Sequence, residues 1–139
     1  MRQGFVKVAA VTPNVRVADV DYNTKEICKC MDEAAHNKAK VIVFPELCVT
    51  GYTCGDLFAQ SILLKKAESA LKEIVAYTEG KDALIFVGLP YEANGKLYNV
   101  AAAICDGELL GMVTKSFLPN YGEGYEMRQF QPGPKKADR

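Results

Sequence analysis

Three short apolar runs constrain the fold of this chain more than any other feature. The runs cover residues 5–11, 41–44 and 83–89, and they are rich in valine, isoleucine and phenylalanine. Nearly continuous apolar composition over so few residues is typical of strands that are covered on both faces. The first run ends at Thr12-Pro13-Asn14 and the second at Pro45, both of which are turn signals. The sequence therefore predicts three buried strands.

The two intervals between these runs have the spacing of helices. In the first, apolar residues recur three and four positions apart, which predicts an amphipathic helix. It would start near Asp21 or Asn23, either a plausible N-cap, and end at Lys38. The second interval, residues 56–78, has no internal proline or glycine and predicts one or two helices. Strand, helix and strand in this order form right-handed parallel crossovers, so we expect the α/β class.

Two dipeptides that favour tight turns, Asn94-Gly95 and Asp106-Gly107, come after the third run. They separate apolar stretches at residues 97–105 and 109–117, which predicts that the sheet continues as an antiparallel meander. Beyond Pro119 the chain is rich in glycine, charge and aromatic residues and suits neither a helix nor a central strand. The expected architecture is a mixed sheet flanked by helices.

Charge and hydropathy exclude several classes of partner. The 17 basic and 17 acidic side chains give a formal net charge of +0, so no summed field favours nucleic acid or an anionic membrane. No apolar run approaches the roughly 18 residues of a membrane span, and residues 1–5 lack the apolar core of a signal peptide. The five cysteines do not form a dense disulfide pattern. We therefore expect reduced thiols and a cytoplasmic protein.

The cysteines offer a weak case for a metal ion. Cys28 and Cys30 are two residues apart on the predicted first helix, so their thiols point about 200° apart and cannot share one ion. Cys48 and Cys54 could form a site with His36, but the paired C-x-x-C spacing that is typical of zinc does not occur in this sequence. We therefore predict no metal site, and no glycine-rich loop of the ATP- or NAD-binding type is present.

Three side chains have positions that suit catalysis. Glu46 comes directly after a predicted buried strand, where functional groups of a parallel sheet collect, and could act as a general base. A glutamate that caps the next helical turn is the alternative. Lys115 interrupts the apolar stretch at residues 110–117, which indicates either a functional ammonium group or a surface lysine. Cys105, at a strand end, is either a nucleophile or a small buried side chain.

Two separated motifs resemble those of one superfamily. The first is Phe44-Pro45-Glu46-Leu47 with Thr50-Gly51-Tyr52, and the second runs from Lys115-Ser116-Phe117-Leu118-Pro119-Asn120-Tyr121 into Tyr125-Glu126-x-Arg128-x-Phe130. In this order they are similar to the glutamate and lysine motifs of the nitrilase (carbon-nitrogen hydrolase) superfamily. The run at residues 45–58, with its Gly-Asp-Leu-Phe ending, most resembles the N-terminal glutaminase domains of glutamine-dependent NAD synthetases. The resemblance implies an αββα sandwich, of which residues 1–139 would be the N-terminal portion.

This resemblance implies a Glu-Lys-Cys site for glutamine hydrolysis. Glu46 would accept the thiol proton, and Lys115 would stabilise the oxyanion of the tetrahedral intermediate. Glu126 resembles a second glutamate, which orients the lysine and assists as a base. Tyr121 resembles a tyrosine that contacts glutamine, and Tyr52 would line the pocket. The catalytic set is thus Glu46, Lys115 and Glu126, and the substrate-binding set is Tyr121 and Tyr52.

The sequence departs from the family on the C-terminal side of the lysine motif. The nucleophilic cysteine of the family lies C-terminal to that motif, and no cysteine comes after Lys115 in this chain. The synthetase domain, which uses ATP and Mg²⁺ and receives the ammonia, is not present in these residues either. We therefore expect an N-terminal fragment that needs no cofactor of its own and is inactive alone. A fragment of a stand-alone nitrilase-type amidase and an inactive assembly module are the alternatives.

The half sandwich has a further consequence for partners. A sheet with only one covered face should expose a large apolar surface. We therefore expect that the chain forms homo-oligomers.

Overall fold

The fold is built on a five-stranded mixed sheet with two long helices. The computed structural model describes residues 4–121 and 124–136. Its elements, in chain order, are β1 (Val8–Ala10), α1 (Val20–His36), β2 (Val41–Val43), a 3₁₀ helix (Gly55–Ala59), α2 (Ser61–Tyr77), β3 (Leu84–Ala93), β4 (Lys96–Cys105), β5 (Glu108–Thr114), β6 (Asn120–Tyr121), β7 (Gly124–Tyr125) and α3 (Glu126–Gln129).

The strands lie in their chain order, β1-β2-β3-β4-β5. β1, β2 and β3 are parallel, and β3, β4 and β5 are antiparallel. The two predicted turn dipeptides join β3 to β4 and β4 to β5. The α/β class, the mixed sheet and the meander predicted from the sequence are therefore confirmed.

The first helix begins earlier than its sequence predicts. Its N-cap is Asp19, whose carboxylate accepts a hydrogen bond from the backbone N–H of Tyr22 at 3.2 Å. The predicted caps Asp21 and Asn23 are instead inside the helix. Asn23 is fully buried, and its amide is satisfied there by hydrogen bonds to the backbone of the preceding loop and of the loop after β2. The helix ends at His36, short of the predicted Lys38.

One face of the sheet packs against α1 and α2 and forms the core. The buried residues of this core include Ile42, Ile85 and Ile104 from three strands, and Ile27 and Ile74 from the two helices, all 0% exposed. Alternate residues of a strand point to the same face, so each central strand contributes every second side chain to this core.

The other face of the sheet is open in the described part of the chain. Val8, Val43 and Val113 are 65%, 45% and 64% exposed. The prediction that the first strand is covered on both faces is therefore wrong, because α1 and α2 cover one face and the side chain of Val8 on the other face is 65% exposed. These valines are exposed apolar side chains on this face, and the expected size of the apolar surface stays a prediction.

Candidate active site

Glu46 lies in the turn after β2, close to the open face of the sheet. This turn passes directly over β3 at Gly88, where a β-carbon would lie 2.5 Å from the backbone nitrogen of Leu47 and 2.6 Å from the carbonyl oxygen of Pro45. Leu47 itself has a φ angle of 52° and is fully buried, which fixes the turn despite the strain. Glu46 is thus held by a close backbone contact that only glycine permits.

Lys115 is the first residue after β5, which ends at Thr114. The prediction that a strand continues through Lys115 to residue 117 is therefore wrong. The chain leaves the sheet after Thr114, and the Lys115 N–H makes one last bond to β4, donating to the carbonyl oxygen of Asn99 at 2.8 Å. The Lys115 carbonyl in turn accepts from the N–H of Gly133 at 2.9 Å. These two bonds fix the backbone from which the ammonium group extends.

Glu126 begins the short helix α3 and is only 5% exposed. The helix is held against the body of the protein by Phe130, which is 2% exposed and contacts Phe58 edge to face at 4.9 Å between ring centroids. The backbone N–H of Glu126 also donates to the Pro119 carbonyl at 3.0 Å. Aromatic packing therefore places a buried carboxylate next to the lysine.

The lysine lies between the two carboxylates. Its Nζ atom is 2.7 Å from Oε1 of Glu46 and 2.7 Å from Oε1 of Glu126, so the proximity of Glu46, Lys115 and Glu126 that their proposed roles need is present. Burial alone lowers the pKa of Lys115, but its hydrogen bonds to Glu126 and Glu46 outweigh that effect and the pKa is raised. Lys115 is therefore a stable ammonium ion.

Two neutral side chains complete the cluster. The Tyr52 hydroxyl donates to Oε1 of Glu126 at 2.9 Å, and burial together with this bond raises the pKa of Tyr52, which keeps it a protonated donor. The Asn99 amide donates to Oε1 of Glu46 at 2.5 Å and faces Oε2 of Glu126 at 3.4 Å. We name Glu46, Lys115, Glu126, Tyr52 and Asn99 the charged cluster.

The two carboxylates differ in how their oxygens are used. Both oxygens of Glu126 face donors, with Lys115 and Tyr52 at Oε1 and Asn99 at Oε2. In Glu46 both bonds fall on Oε1, and among the described residues Oε2 has no hydrogen-bond partner. Glu46 is also the more exposed side chain, at 41% against 5%. The geometry therefore suits Glu46 to take up a proton and Glu126 to hold the lysine.

A cavity of about 560 Å³ opens beside Glu46 and Lys115 on the uncovered face of the sheet. Its lining includes Glu46, Asn99 and Lys115 together with apolar residues of β2, β3 and β5. Because an ammonium group has three N–H donors and the described carboxylates use two of them, one N–H of Lys115 remains for a ligand. The cavity thus combines a proton acceptor with a donor suited to a developing negative charge.

All five cysteines lie away from the lining of this cavity. Burial raises the pKa of Cys48 to about 12 and that of Cys28 to about 11, and burial also raises the pKa of Cys54 and of Cys30. Cys105 ends β4, at the opposite end of that strand from Asn99. A nucleophile needs a thiolate, so the four thiols whose pKa is raised, those of Cys28, Cys30, Cys48 and Cys54, have the environment of structural residues.

The remaining sequence predictions have mixed outcomes. Tyr52, which was predicted to line the pocket, donates to Glu126 and is not among the residues that line the cavity beside Glu46, and its role in substrate binding stays a prediction. The side chain of Tyr121 lies outside the described residues, and so does its predicted contact with glutamine. Asn99 was not among the residues predicted for the site, although its place inside an apolar strand was a signal that could have identified it.

Two further observations concern metals and membranes. Within residues 4–121 and 124–136, no group of three or more His, Cys, Asp and Glu side chains is arranged to hold a metal ion. Over the same residues, no helix has the length and hydropathy that a membrane crossing requires.

The comparisons with known proteins define the class. The family model for carbon-nitrogen hydrolase matches residues 7–137, and the chain therefore belongs to the carbon-nitrogen hydrolase family. The glutamate and lysine motifs that indicated this family in the sequence supply every member of the charged cluster except Asn99.

Individual members of the family show which proteins this chain is similar to. The glutamine-dependent NAD(+) synthetase of Aquifex aeolicus is 42% identical over 120 residues, covering 86% of this chain and 21% of that protein. The crystal structure of a glutamine-dependent NAD(+) synthetase from Cytophaga hutchinsonii has a TM-score of 0.89 and 31% identity, covering 95% of this chain and 22% of that one. An amidase from Nesterenkonia sp. shares the fold, with a TM-score of 0.78 at 24% identity over 97% of this chain and 51% of that one.

The alignments cover most of this chain but only a small share of each NAD(+) synthetase. The chain spans about a fifth of the length of the curated NAD(+) synthetases it matches. It corresponds to the N-terminal, nitrilase-like part of those proteins.

Proposed function

We propose that this chain supplies the glutamate and lysine of a glutamine amidohydrolase site in a glutamine-dependent NAD synthetase. The ammonia released from L-glutamine would pass to a synthetase domain, which amidates deamido-NAD to NAD with ATP and Mg²⁺. The observation that carries the proposal is the position of Lys115, whose Nζ atom is 2.7 Å from both Glu46 and Glu126 beside an open cavity. The relatives named above support the choice of reaction.

The free oxygen of Glu46 provides the first step. A cysteine thiol in the cavity would give its proton to Oε2 of Glu46, and the thiolate would attack the carboxamide carbon of glutamine. The carbonyl π electrons move to oxygen, and the third N–H of Lys115 stabilises the resulting oxyanion. When the intermediate collapses, the C–N bond breaks and ammonia leaves with the proton from Glu46.

The second half of the reaction uses the same groups. Glu46 removes a proton from water, which attacks the thioester carbon, and Lys115 again stabilises the oxyanion. Collapse of this intermediate breaks the C–S bond, releases glutamate and returns the proton to the thiolate sulfur. Glu126 takes no proton in this scheme because Lys115, Tyr52 and Asn99 occupy its oxygens.

The nucleophile and the cofactors belong to other parts of the protein in this proposal. All five thiols of this chain lie off the cavity, so the attacking cysteine would come from residues C-terminal to Lys115 in the family order. ATP and Mg²⁺ would bind the synthetase domain, and we assign neither to residues of this chain. The protein would act in the cytoplasm. The exposed valines of the open face would be covered by other parts of the full-length protein, and in the isolated chain by a second copy of the chain, which would form a homo-oligomer.

The test is an assay of the full-length protein that contains these residues. NAD formation from deamido-NAD and ATP is measured with glutamine and, separately, with ammonium chloride, alongside ammonia release from glutamine. We expect NAD with either nitrogen source. Ammonia release without NAD formation would favour a stand-alone amidase instead, and neither activity would favour an assembly module. Ammonia release by the isolated 139-residue chain would contradict the assignment of the nucleophile to other residues.

A further inference from the structure

Asn99 is an unusual residue for its place in the fold. It lies in β4 within the run Leu97-Tyr98-Asn99-Val100-Ala101-Ala102-Ala103-Ile104, and it is only 3% exposed. Asparagine is unfavourable in strands, and burial of an amide is costly unless its polar atoms find partners. A residue that breaks local preference in this way is expected at functional sites.

The contacts of Asn99 explain why the amide is there. Its Nδ2 atom lies 2.5 Å from Oε1 of Glu46 and 3.4 Å from Oε2 of Glu126. Its own carbonyl oxygen accepts the backbone N–H of Lys115 at 2.8 Å. One residue therefore touches all three charged members of the cluster, the two carboxylates through its side chain and the lysine through its backbone.

The charges of the cluster require a donor at this point. Two ionised carboxylates and one ammonium leave one uncompensated negative charge, and an ionised carboxylate can only accept hydrogen bonds. The amide nitrogen carries two N–H groups, so it can serve both carboxylates at once. An oxygen in its place would face two further acceptors, which fixes the orientation of the amide.

The bond from Asn99 to Glu46 also determines which carboxylate oxygen of Glu46 is available to accept a proton. Lys115 and Asn99 both bond Oε1, so the carboxylate plane is held from one side. Rotation of the carboxylate would break both bonds. Oε2 is therefore the oxygen that these bonds leave available to accept a proton.

We propose that Asn99 is a positioning residue of the glutamine-hydrolysing site. Its amide holds the Glu46 carboxylate through Oε1, which leaves Oε2 for the nucleophile, and it holds Glu126 beside Lys115. This inference rests on the proposed glutamine hydrolysis, and it concerns a residue that acts through Glu46 rather than on the substrate.

The test uses two variants of the full-length protein. Asn99→Leu has a similar volume but no donor, and Asn99→Asp keeps the shape and places a third carboxylate beside the other two. We expect kcat/KM for glutamine to fall by about 10- to 100-fold in Asn99→Leu, the loss typical of a hydrogen bond to a charged group. Asn99→Asp should lose more. Asn37→Leu, at the exposed C-cap of α1, is the matched control and should keep wild-type activity.

The pH profile separates positioning from support of the fold. The acid limb of kcat/KM should move to higher pH in both Asn99 variants, because the ionised base loses a donor or gains a like charge. Ammonia-driven NAD formation should stay within about twofold of wild type, since free ammonia bypasses this site. Wild-type kcat/KM and pH profile in both variants would overturn the proposal, and so would an equal fall of both activities. Failure of the proposed function itself would look different, because the wild-type protein would then either release no ammonia from glutamine or release it without forming NAD.

Discussion

The two faces of the central sheet differ in how far their side chains are exposed. On the face that α1 and α2 cover, alternate strand residues such as Ile85 and Ile104 are completely buried. On the other face, Val43 and Val113 stay largely exposed and line the cavity that contains Glu46 and Lys115. The same strands build both faces, because successive side chains point to opposite sides.

This comparison shows how one sheet separates stability from chemistry. The covered face contributes hydrophobic burial at roughly 25 cal/mol per Å², and it contains no member of the charged cluster. The open face carries the close backbone contact at Gly88 and the lysine between two carboxylates. Substitutions on the first face should therefore change stability, and substitutions on the second should change activity.

The largest expected difference is in stability. Ile104→Ala removes a fully buried side chain and should lower the unfolding free energy of this chain by about 2 to 5 kcal/mol. Val113→Ala, on the adjacent strand but on the open face, should change it by less than about 0.5 kcal/mol. Urea denaturation of both variants is the measurement. Equal losses would show that the open face is packed as tightly as the covered one.

The next effect concerns the glycine beneath Glu46. Gly88→Ala places a β-carbon within 2.5 Å of backbone atoms of the turn, so the turn and Glu46 must move. Displacement of a catalytic group by about 1 Å can cost roughly 100-fold in rate, and we expect a loss of that size in glutamine hydrolysis by the full-length protein. Gly111→Ala on β5, where a β-carbon meets no atom of the described residues within 4 Å, is the matched control. Wild-type activity in Gly88→Ala would contradict the placement of Glu46.

A smaller effect should appear at alkaline pH. The hydrogen bonds that raise the pKa of Lys115 stabilise its charged form, so their contribution is complete below the unfolded value of about 10.4 and is lost as pH rises through the folded pKa. The difference in unfolding free energy between wild type and Lys115→Met should therefore be constant from neutral pH to about pH 10 and shrink above it. Lys72→Met, on the exposed side of α2, is the control. A difference that grew with pH would contradict the ion pairs.

Much of the fold can be predicted from local sequence signals. The two hairpin dipeptides and the short apolar runs are properties of neighbouring residues, and they predicted the parallel crossovers and the antiparallel meander. The error at the start of α1 has a tertiary cause. Asp19, Asp21 and Asn23 all suit an N-cap, and the amide of Asn23 is used instead by the carbonyl of Val49, 26 residues away.

The site was predictable to a lesser extent. Glu46, Lys115 and Glu126 came from the motif resemblance, whereas their mutual contacts join residues up to 69 positions apart. Asn99 could have been identified as a polar residue inside an apolar strand, but its partners are 53 and 27 positions away, so the sequence could not show what its amide binds. The unequal use of the oxygens in Glu46 and Glu126 is a property of the folded chain alone.

The assignment of Glu46 as the base is tested best by the ratio of glutamine-driven to ammonia-driven NAD formation in Glu46→Gln of the full-length protein. Loss of the general base should lower this ratio by roughly 10² to 10⁴, while ammonia-driven synthesis stays at the wild-type rate. Glu33→Gln, on the exposed side of α1, should leave the ratio unchanged. A wild-type ratio in Glu46→Gln, or an equal fall of both activities, would contradict the assignment.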